Sequence, residues 1–322
     1  MNNKKSICVV GAGQWGMNHI RTLDELGVLG GVVDIDSARL DIVRTAYPKI
    51  LTFTNVEDAA LTARFDGFTV ATSPVAHYTI GKTILEAGYP VLIEKPMALE
   101  IEHAEELVEL AESRNLPLMV GHLLLFHPAI RKIKELINKG RIGRLQYLYS
   151  NRLNLGQVRT EENVLWSLAP HDLSVFEYLV DKPPIEVVTH GASFITSGIH
   201  DTTLTILKYP RNVMGHIFVN WLHPFKEHRL VIVGSEGMIT FVDSEVEKPL
   251  KLHDKTVNLS NGFPEKIDGT VKEIKYNISL PLTNELSYFL KCIDGIQPKI
   301  ANGQNGLNIL KTLKLASVHI ES

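Results

Sequence analysis

The feature that most limits what this chain can become is a turn. The β-branched run Ser6-Ile7-Cys8-Val9-Val10 leads straight into Gly11-Ala12-Gly13-Gln14-Trp15-Gly16, and a helix-length stretch follows. In such a turn Gly11 permits the tight reversal, Gly13 lets backbone N–H groups approach an anion, and Gly16 lets the helix pack against the sheet. Gln14 and Trp15 stand inside the turn, beside the ligand it would hold. The N-terminus of the helix favours negative charge through its dipole and its unpaired N–H groups, which suits a pyrophosphate. A second apolar run ends in Asp34, at the spacing of a carboxylate that accepts ribose hydroxyls. Strand, glycines, helix and acid in register point to dinucleotide binding. Asp34 would repel a 2′-phosphate and no Arg follows it immediately, so NAD is expected rather than NADP. Asp36 reads as the cap of the next helix.

The alternation continues. GGVVD precedes the stretch 37–46, GFTVA precedes 74–87, PVLIE precedes 100–114, and PLMVG closes the series. Strands that read as continuous apolar runs are buried on both faces, and a helix after each makes the sheet parallel. Ser73-Pro74 supplies an N-cap and a first-turn proline, and Gly88 stands where that helix should stop. Residues 1–121 are therefore expected to form an α/β domain, a doubly wound parallel sheet of Rossmann type. After Gly121 the pattern changes. Residues 128–140 and 167–180 read as helices, and then IEVVTH, TTLTILKY, VMGHIFVNW, HRLVIVG and GMITFV succeed one another without intervening helices. Helices at 282–294 and 304–320 close the chain. Residues 122–322 are expected to form an α+β domain with an open, mainly antiparallel sheet. A length of 322 residues agrees with two domains rather than one.

Charge removes several functions. Lys plus Arg number 33 against 36 Asp plus Glu, so nothing is left over to neutralise a nucleic-acid backbone or an anionic membrane, and neither partner is expected. The apolar run near the N-terminus is too short for a signal-peptide core, and no run approaches the roughly 18 residues of a membrane span. Cys8 and Cys292 make no metal or redox spacing, which fits the cytoplasm. No histidine pair has HExxH geometry, and His122 and His127 stand five apart across an apolar stretch, so no metal is expected.

A lysine at the carboxyl end of a strand, Ile93-Glu94-Lys95-Pro96, emerges on the ligand side of a doubly wound sheet. Alone it reads as an ordinary surface lysine. Together with GAGQWG, the stretch Ala71 to His77 (AxSPxxxH), EAGYPVLIEKP, PLTNELSYFLKCI and the α+β second half, it resembles the Gfo/Idh/MocA oxidoreductases over essentially the whole chain. The resemblance implies a nicotinamide dinucleotide held between a Rossmann domain and a domain whose open sheet forms oligomer contacts, so that a homodimer or homotetramer is expected. It implies further that Lys95 lies beside nicotinamide and substrate, that Thr72, Ser73 and His77 contact the cofactor, and that Glu94 lies near the nicotinamide ribose. His122 takes the place where many relatives have an Asn that touches the nicotinamide.

The family's second domain carries a histidine at the start of a helix, with an Asp four residues earlier. His171 matches the histidine, but Ser167 stands at the Asp position, so the Lys, Asp, His trio is incomplete. A helix over 167–180 would bring His171 to the substrate and bury Leu173, Val175, Phe176 and Leu179. The other reading of His171-Asp172 is a structural or capping pair. An imidazole with an ordinary pKa near 6.5 is suited to take a hydroxyl proton, and Lys95 is suited either to stabilise an alkoxide or to take that proton itself.

Arg152, Asn154, Arg159 and Asn163 precede that helix, and guanidinium groups pair with carboxylates and phosphates. With Trp166, which reads as a core or cleft-wall residue or else as one whose ring covers a sugar face, the segment is similar to a subgroup acting at C3 of UDP-N-acetylglucosamine or its uronate. Either arginine can instead pair with Glu161, Glu162 or another acid. A free-sugar or inositol dehydrogenase is the alternative enzyme, and a dinucleotide-sensing regulator without turnover is the alternative outside enzymes.

Overall fold

The computed structural model describes residues 4–62, 64–259 and 262–320. It begins with Ile7–Val10 (β1), Gln14–Glu25 (α1), Leu29–Val33 (β2), Ser37–Ala46 (α2), Leu51–Phe53 (β3), Val56–Leu61 (α3), Gly67–Val70 (β4), Pro74–Glu86 (α4), Val91–Ile93 (β5), Ile101–Ser113 (α5) and Leu118–Val120 (β6). The strands pair in the order β3-β2-β1-β4-β5-β6, and every pairing is parallel. That is the strand order of a doubly wound dinucleotide fold. The apolar runs are strands because both faces are covered: Ile7, Cys8 and Val9 are wholly buried, as are Val91, Leu92 and Ile93. Side chains start two of the helices, Asp36 accepting from the N–H of Ala38 and Asn55 from that of Asp58. Gly88 follows α4 at φ +87°, a left-handed position that ends the helix at little steric cost.

The rest comprises Pro128–Asn138 (α6), Leu145–Leu155 (β7), Val164–Val180 (α7), Glu186–Ala192 (β8), Thr202–Tyr209 (β9), Val213–Asn220 (β10), Leu222–Gly234 (β11), Met238–Val242 (β12), Leu250–His253 (β13), Thr256–Asn258 (β14), Glu265–Ile267 (β15), Val271–Glu273 (β16), Pro281–Ile293 (α8) and Gly303–Val318 (α9). Eight strands join in the order β16-β13-β12-β11-β7-β10-β9-β8, and β14 with β15 forms a separate hairpin. The large sheet is mixed: β7 and β10 run parallel, and its other pairs are antiparallel. One face is covered, since Thr203, Thr205, Leu207 and Tyr209 of β9 and Ile217 and Val219 of β10 are buried. The helix α7 packs against β7, β9 and β10, close enough that a side chain on Gly215 would stand 2.8 Å from the Phe176 ring. On the alternate positions Leu204 and Met214 are 38% and 47% exposed, and the Tyr149 and His216 rings stack at 5.2 Å.

The chain divides into two units that differ from a simple cut at residue 121. The first runs to Phe126 and takes up Ser279–Leu310 again; the second is His127–Ile278 with the residues from Lys311 on. The reason for the return is packing: a side chain on Gly67 of β4 would meet Ile293 at 2.9 Å and Phe289 at 3.4 Å, both from α8. No helix among the described residues is long and apolar enough to cross a membrane.

Candidate functional site

The glycine turn is built by contacts that leave no room elsewhere. Gly11 sits at φ +100°, with a Cβ position 2.7 Å from the Ala71 carbonyl oxygen, and a Cβ on Gly16 would stand 1.9 Å from the Gly11 carbonyl oxygen. Gly13 is different: as N-cap of α1 it makes no side-chain cap, and its Cβ position meets only an Arg39 nitrogen, at 3.7 Å. The first N–H groups of α1 thus open onto a space a side chain would have filled, which is the cradle a pyrophosphate requires. Gln14 is exposed and Trp15 is 39% exposed on the same turn.

Asp34, at the end of β2, does two things. Its Oδ2 accepts the Ala12 N–H at 2.7 Å and its Oδ1 accepts the Asp36 N–H at 2.9 Å, which holds turn and strand end together while leaving lone pairs for ribose hydroxyls. Arg39 stands with Nη1 3.7 Å from Asp34 and Nε 3.5 Å from Asp36. Sequence reasoning missed Arg39, although it lies only five residues after Asp34. Also missed were Ile35 and Val75, 92% and 78% exposed at the carboxyl ends of β2 and β4, two apolar surfaces at the edge where doubly wound sheets take their ligands. Among these residues a dinucleotide fits.

Around Lys95 the buried groups are polar. Glu94 accepts from Trp15 Nε1 at 2.5 Å and lies 2.9 Å from His19 Nε2, and its Oε2 accepts the Lys95 N–H at 3.3 Å. Burial pushes this carboxyl up, but the His19 hydrogen bond and charge, with Trp15 and Lys95, outweigh it and hold the group below the usual carboxylate range. Gly121 is required beside it, since a Cβ there would stand 2.7 Å from the carboxylate. His122 is 2% exposed, and burial pushes its imidazole down to about 4, so it is neutral. Glu285 of α8, which sequence reasoning also passed over, is wholly buried; burial first, and then the Glu94 charge, raise it well above the carboxylate range. His77 is 1% exposed, and its ring nitrogens lie 2.7 Å from the Pro96 carbonyl oxygen and 3.1 Å from that of Thr72. It therefore ties the loop after β4, with Thr72 and Ser73, to the loop after β5 that bears Lys95. Lys95 is half-buried and its peptide bond to Pro96 is cis.

In the second unit α7 begins at Val164, earlier than expected, because Asn163 caps it by accepting the Trp166 N–H at 3.1 Å and the His200 carbonyl takes the Val164 N–H at 2.9 Å. His171 thus lies in the middle of the helix, half-buried, rather than at its start. Pro170 is inside the helix. Arg152 and Asn154 lie on β7, a strand not expected from the sequence. The Arg152 guanidinium is spread on Asp172, with Nε to Oδ2 at 2.7 Å and Nη2 to Oδ1 at 3.1 Å, and Ser150 Oγ donates to Oδ1 at 2.6 Å. Arg159, half exposed, pairs with Glu162 at 2.9 Å. Trp166 Nε1 donates to Ser317 Oγ at 2.9 Å and its ring lies under Lys314. Asn163 is thus engaged as a cap and Trp166 in packing on α9. Ser167 is buried. Among the described residues no group of three or more His, Cys, Asp or Glu could hold a metal ion.

A cavity of about 240 Å³ lined by Val108, Leu118, Gln297 and Asn302 lies at the amino end of β6, away from the strand ends that carry the glycine turn and Lys95.

Comparison with known proteins agrees with this architecture. Residues 5–122 match a family described as "Oxidoreductase family, NAD-binding Rossmann fold", and residues 130–240 match "GFO/IDH/MocA C-terminal domain". UDP-N-acetylglucosamine 3-dehydrogenase of Acidithiobacillus ferrooxidans is 25% identical over 317 residues, 98% of this chain and 96% of that protein. Its solved structure superposes with a TM-score of 0.86 at 23% identity, covering 98% of this chain and 97% of that one. An inositol 2-dehydrogenase of Corynebacterium glutamicum is 25% identical over 229 residues, 68% of each chain. The WlbA dehydrogenase of Bordetella pertussis, solved with NADH and UDP-GlcNAcA, superposes with a TM-score of 0.79 at 20% identity over 99% of this chain and 97% of that one.

Proposed function

The chain belongs to the Gfo/Idh/MocA family of oxidoreductases, and from that premise we propose that it oxidises the C3 hydroxyl of a UDP-amino sugar, UDP-N-acetylglucosamine or its uronate, with NAD as acceptor. The observation that carries the reading is the similarity to UDP-N-acetylglucosamine 3-dehydrogenase along 98% of the chain, where the inositol 2-dehydrogenase aligns over 68%. The complex of WlbA with a UDP-sugar supports the same substrate class. Bound NAD supplies the hydride acceptor. The chain's own residues do the rest. Gly13 and the uncapped start of α1 bind the pyrophosphate, and Asp34 takes the ribose hydroxyls. Lys95 carries positive charge toward the oxygen that loses its proton, and His171 receives that proton, a role an imidazole nitrogen within hydrogen-bond reach can fill. Asn154, and Arg159 by exchanging its exposed partner Glu162, are assigned to the nucleotide or the uronate carboxylate.

The test is NAD reduction by the purified protein with UDP-N-acetylglucosamine, its uronate, matching free sugars and myo-inositol, with borodeuteride trapping of the product. Turnover confined to a UDP-sugar with deuterium at C3 is expected. Turnover of free polyols alone would replace the reading with that of a polyol dehydrogenase, and NAD binding without any turnover would favour a sensor. The same reading places the enzyme in the cytoplasm, in keeping with two buried free cysteines. It also makes the chain a homodimer or homotetramer through the sheet face that exposes Leu204 and Met214; light scattering showing a monomer would remove that part.

A further inference from the structure

Arg152 has the chemistry of an anion-binding residue, but its geometry points inward. Its side chain is 12% exposed, and two of its donor positions, Nε and Nη2, are committed to Asp172, whose own side chain is 6% exposed. The remaining edge, Nη1, faces His228 Nδ1 at 3.5 Å. His228 is held neutral, down to about 4, by burial and then by the Arg152 charge, so it adds no second cation here. A bidentate grip on a substrate phosphate would require Arg152 to leave Asp172 uncompensated in a buried site, which is strongly unfavourable.

What the pair holds is the helix. Ser150 and Arg152 are two apart on β7 and so share one face of the sheet. That strand is held on both sides: Ser150 stands opposite Leu230 of β11 and Ile217 of β10, and Arg152 opposite His228 and Val219. The anchor is rigid. The part of α7 it grips is not self-sufficient, because Pro170 has no N–H to give the ladder one residue before His171. Adjacent residues on a helix point about 100° apart, so fixing Asp172 against β7 fixes the direction of His171 around the helix axis. Three hydrogen bonds to one carboxylate, two of them from a planar fork, define that rotation closely.

We infer that Arg152 and Ser150 are positioning residues which set the rotation of α7 and thereby aim His171, rather than groups that touch substrate. The inference rests on the reading of His171 as the proton acceptor. Arg152→Lys keeps the charge and removes the fork. It is expected to leave NAD affinity, measured by titration calorimetry, and substrate KM within about twofold while lowering kcat about 10- to 100-fold, the range a misplacement near 1 Å produces. Ser150→Ala, which leaves the ion pair intact and serves if the first variant does not fold, should lower kcat in the same sense by a few-fold. In a His171→Asn background both losses should vanish, since residues acting through one another are not additive. A large rise in substrate KM with kcat retained would return Arg152 to substrate binding and overturn the inference, as would losses that persist without His171. A readout independent of turnover separates this from the functional reading. The His171 imidazole resonances, assigned by their absence in His171→Asn, should shift in both variants, and unchanged resonances refute the positioning role even if the substrate is some other alcohol. If His171→Asn itself leaves kcat unchanged, the functional reading fails instead.

Discussion

Asp201 offers the most direct test of the reasoning from geometry to energy. It is 1% exposed and accepts three hydrogen bonds: Oδ2 from the N–H groups of Phe194 at 2.6 Å and Ile195 at 2.9 Å, and Oδ1 from Trp221 Nε1 at 2.5 Å. Burial raises its carboxyl, but the Phe194 amide, the Trp221 indole, the Ile195 amide and His200 together hold it below the usual range. Asp201→Asn keeps one acceptor oxygen, which can serve the two amides or the indole but not both sides. The variant loses about 1.5–3 kcal/mol for the charge-assisted bond removed and about 1 kcal/mol for weakening the others. Part of this is offset because a neutral amide is less costly to bury than a charge. The net expectation is about 2–4 kcal/mol, read as a lower urea midpoint at pH 7. The pH dependence has a definite sign. A carboxyl depressed in the folded state stabilises fully above its unfolded value, near ~3.9, and this contribution is lost as pH falls through the folded value. The gap between wild type and Asp201→Asn should therefore close as the pH falls from about 5 to about 2. Equal midpoints at pH 7, or a gap that ignores pH, would show that the three donors do not hold the group as described. Because the neighbouring His200 carbonyl accepts the first N–H of α7, the variant should also lower kcat while NAD binding stays unchanged.

Other outcomes follow from the same structure. Gly13→Ala should fold like the wild type, since its Cβ position meets nothing closer than 3.7 Å, but should bind NAD at least tenfold more weakly; Gly16→Ala, with 1.9 Å to the Gly11 carbonyl, should lose both stability and binding, and urea midpoints with fluorescence titrations separate the two. Asp34→Ser should move the ratio of NADP to NAD affinity upward about tenfold or more, by removing a carboxylate beside the 2′-position and releasing the Nη1 edge of Arg39, whose Nε stays near Asp36, and Arg39→Ala added to it should reverse the gain. His122 is neutral in the folded protein and charged below about 6.5 in the unfolded chain. Its folded pKa, about 4, is depressed, so stability falls as the pH drops from about 6.5 to about 4; His122→Leu should reduce that slope by one proton's worth, about 1.4 kcal/mol per unit, and an unaltered slope counts against its burial.

The first unit was legible because its signals are local and agree with one another. The glycine turn, Asp34, the Ser73-Pro74 start and Gly88 each mark a boundary, and the helices that were expected fall within one or two residues of their spans, whereas the short β3 and α3 were not expected. The second unit was less legible for an identifiable reason. β7 escaped notice because Ser150 and Arg152 occupy the covered face where alternation predicts apolar residues, and they do so in order to hold Asp172. Its parallel pairing with β10 is a long-range fact with no local sign. The expected start of α7 at residue 167 was three residues late, because Asn163 is the cap. Arg39 stood in plain view, but helix spacing does not say which way an exposed arginine leans. Glu285 was hidden by type: an acid in an amphipathic helix reads as solvated until its burial is seen. For Arg152 nothing in the sequence signals that Asp172 occupies its fork, and that pairing is what motivates the positioning role inferred above in place of the expected contact with substrate.

The return of the chain to its first unit has a consequence in time. Strands β1 to β6 leave the ribosome before α8 and the first turns of α9 exist, with His127–Ile278 made in between. At about 5–20 residues per second the delay is on the order of 10–30 s. Throughout it, the apolar surface that Phe289 and Ile293 cover at Gly67, and that the residues around Gly303 cover at Leu118, faces solvent. A nascent dinucleotide fold in this state is incomplete rather than finished and waiting, so a fragment ended at residue 121 should be prone to aggregate. A segment made only after the whole of His127–Ile278 closes the first structure begun.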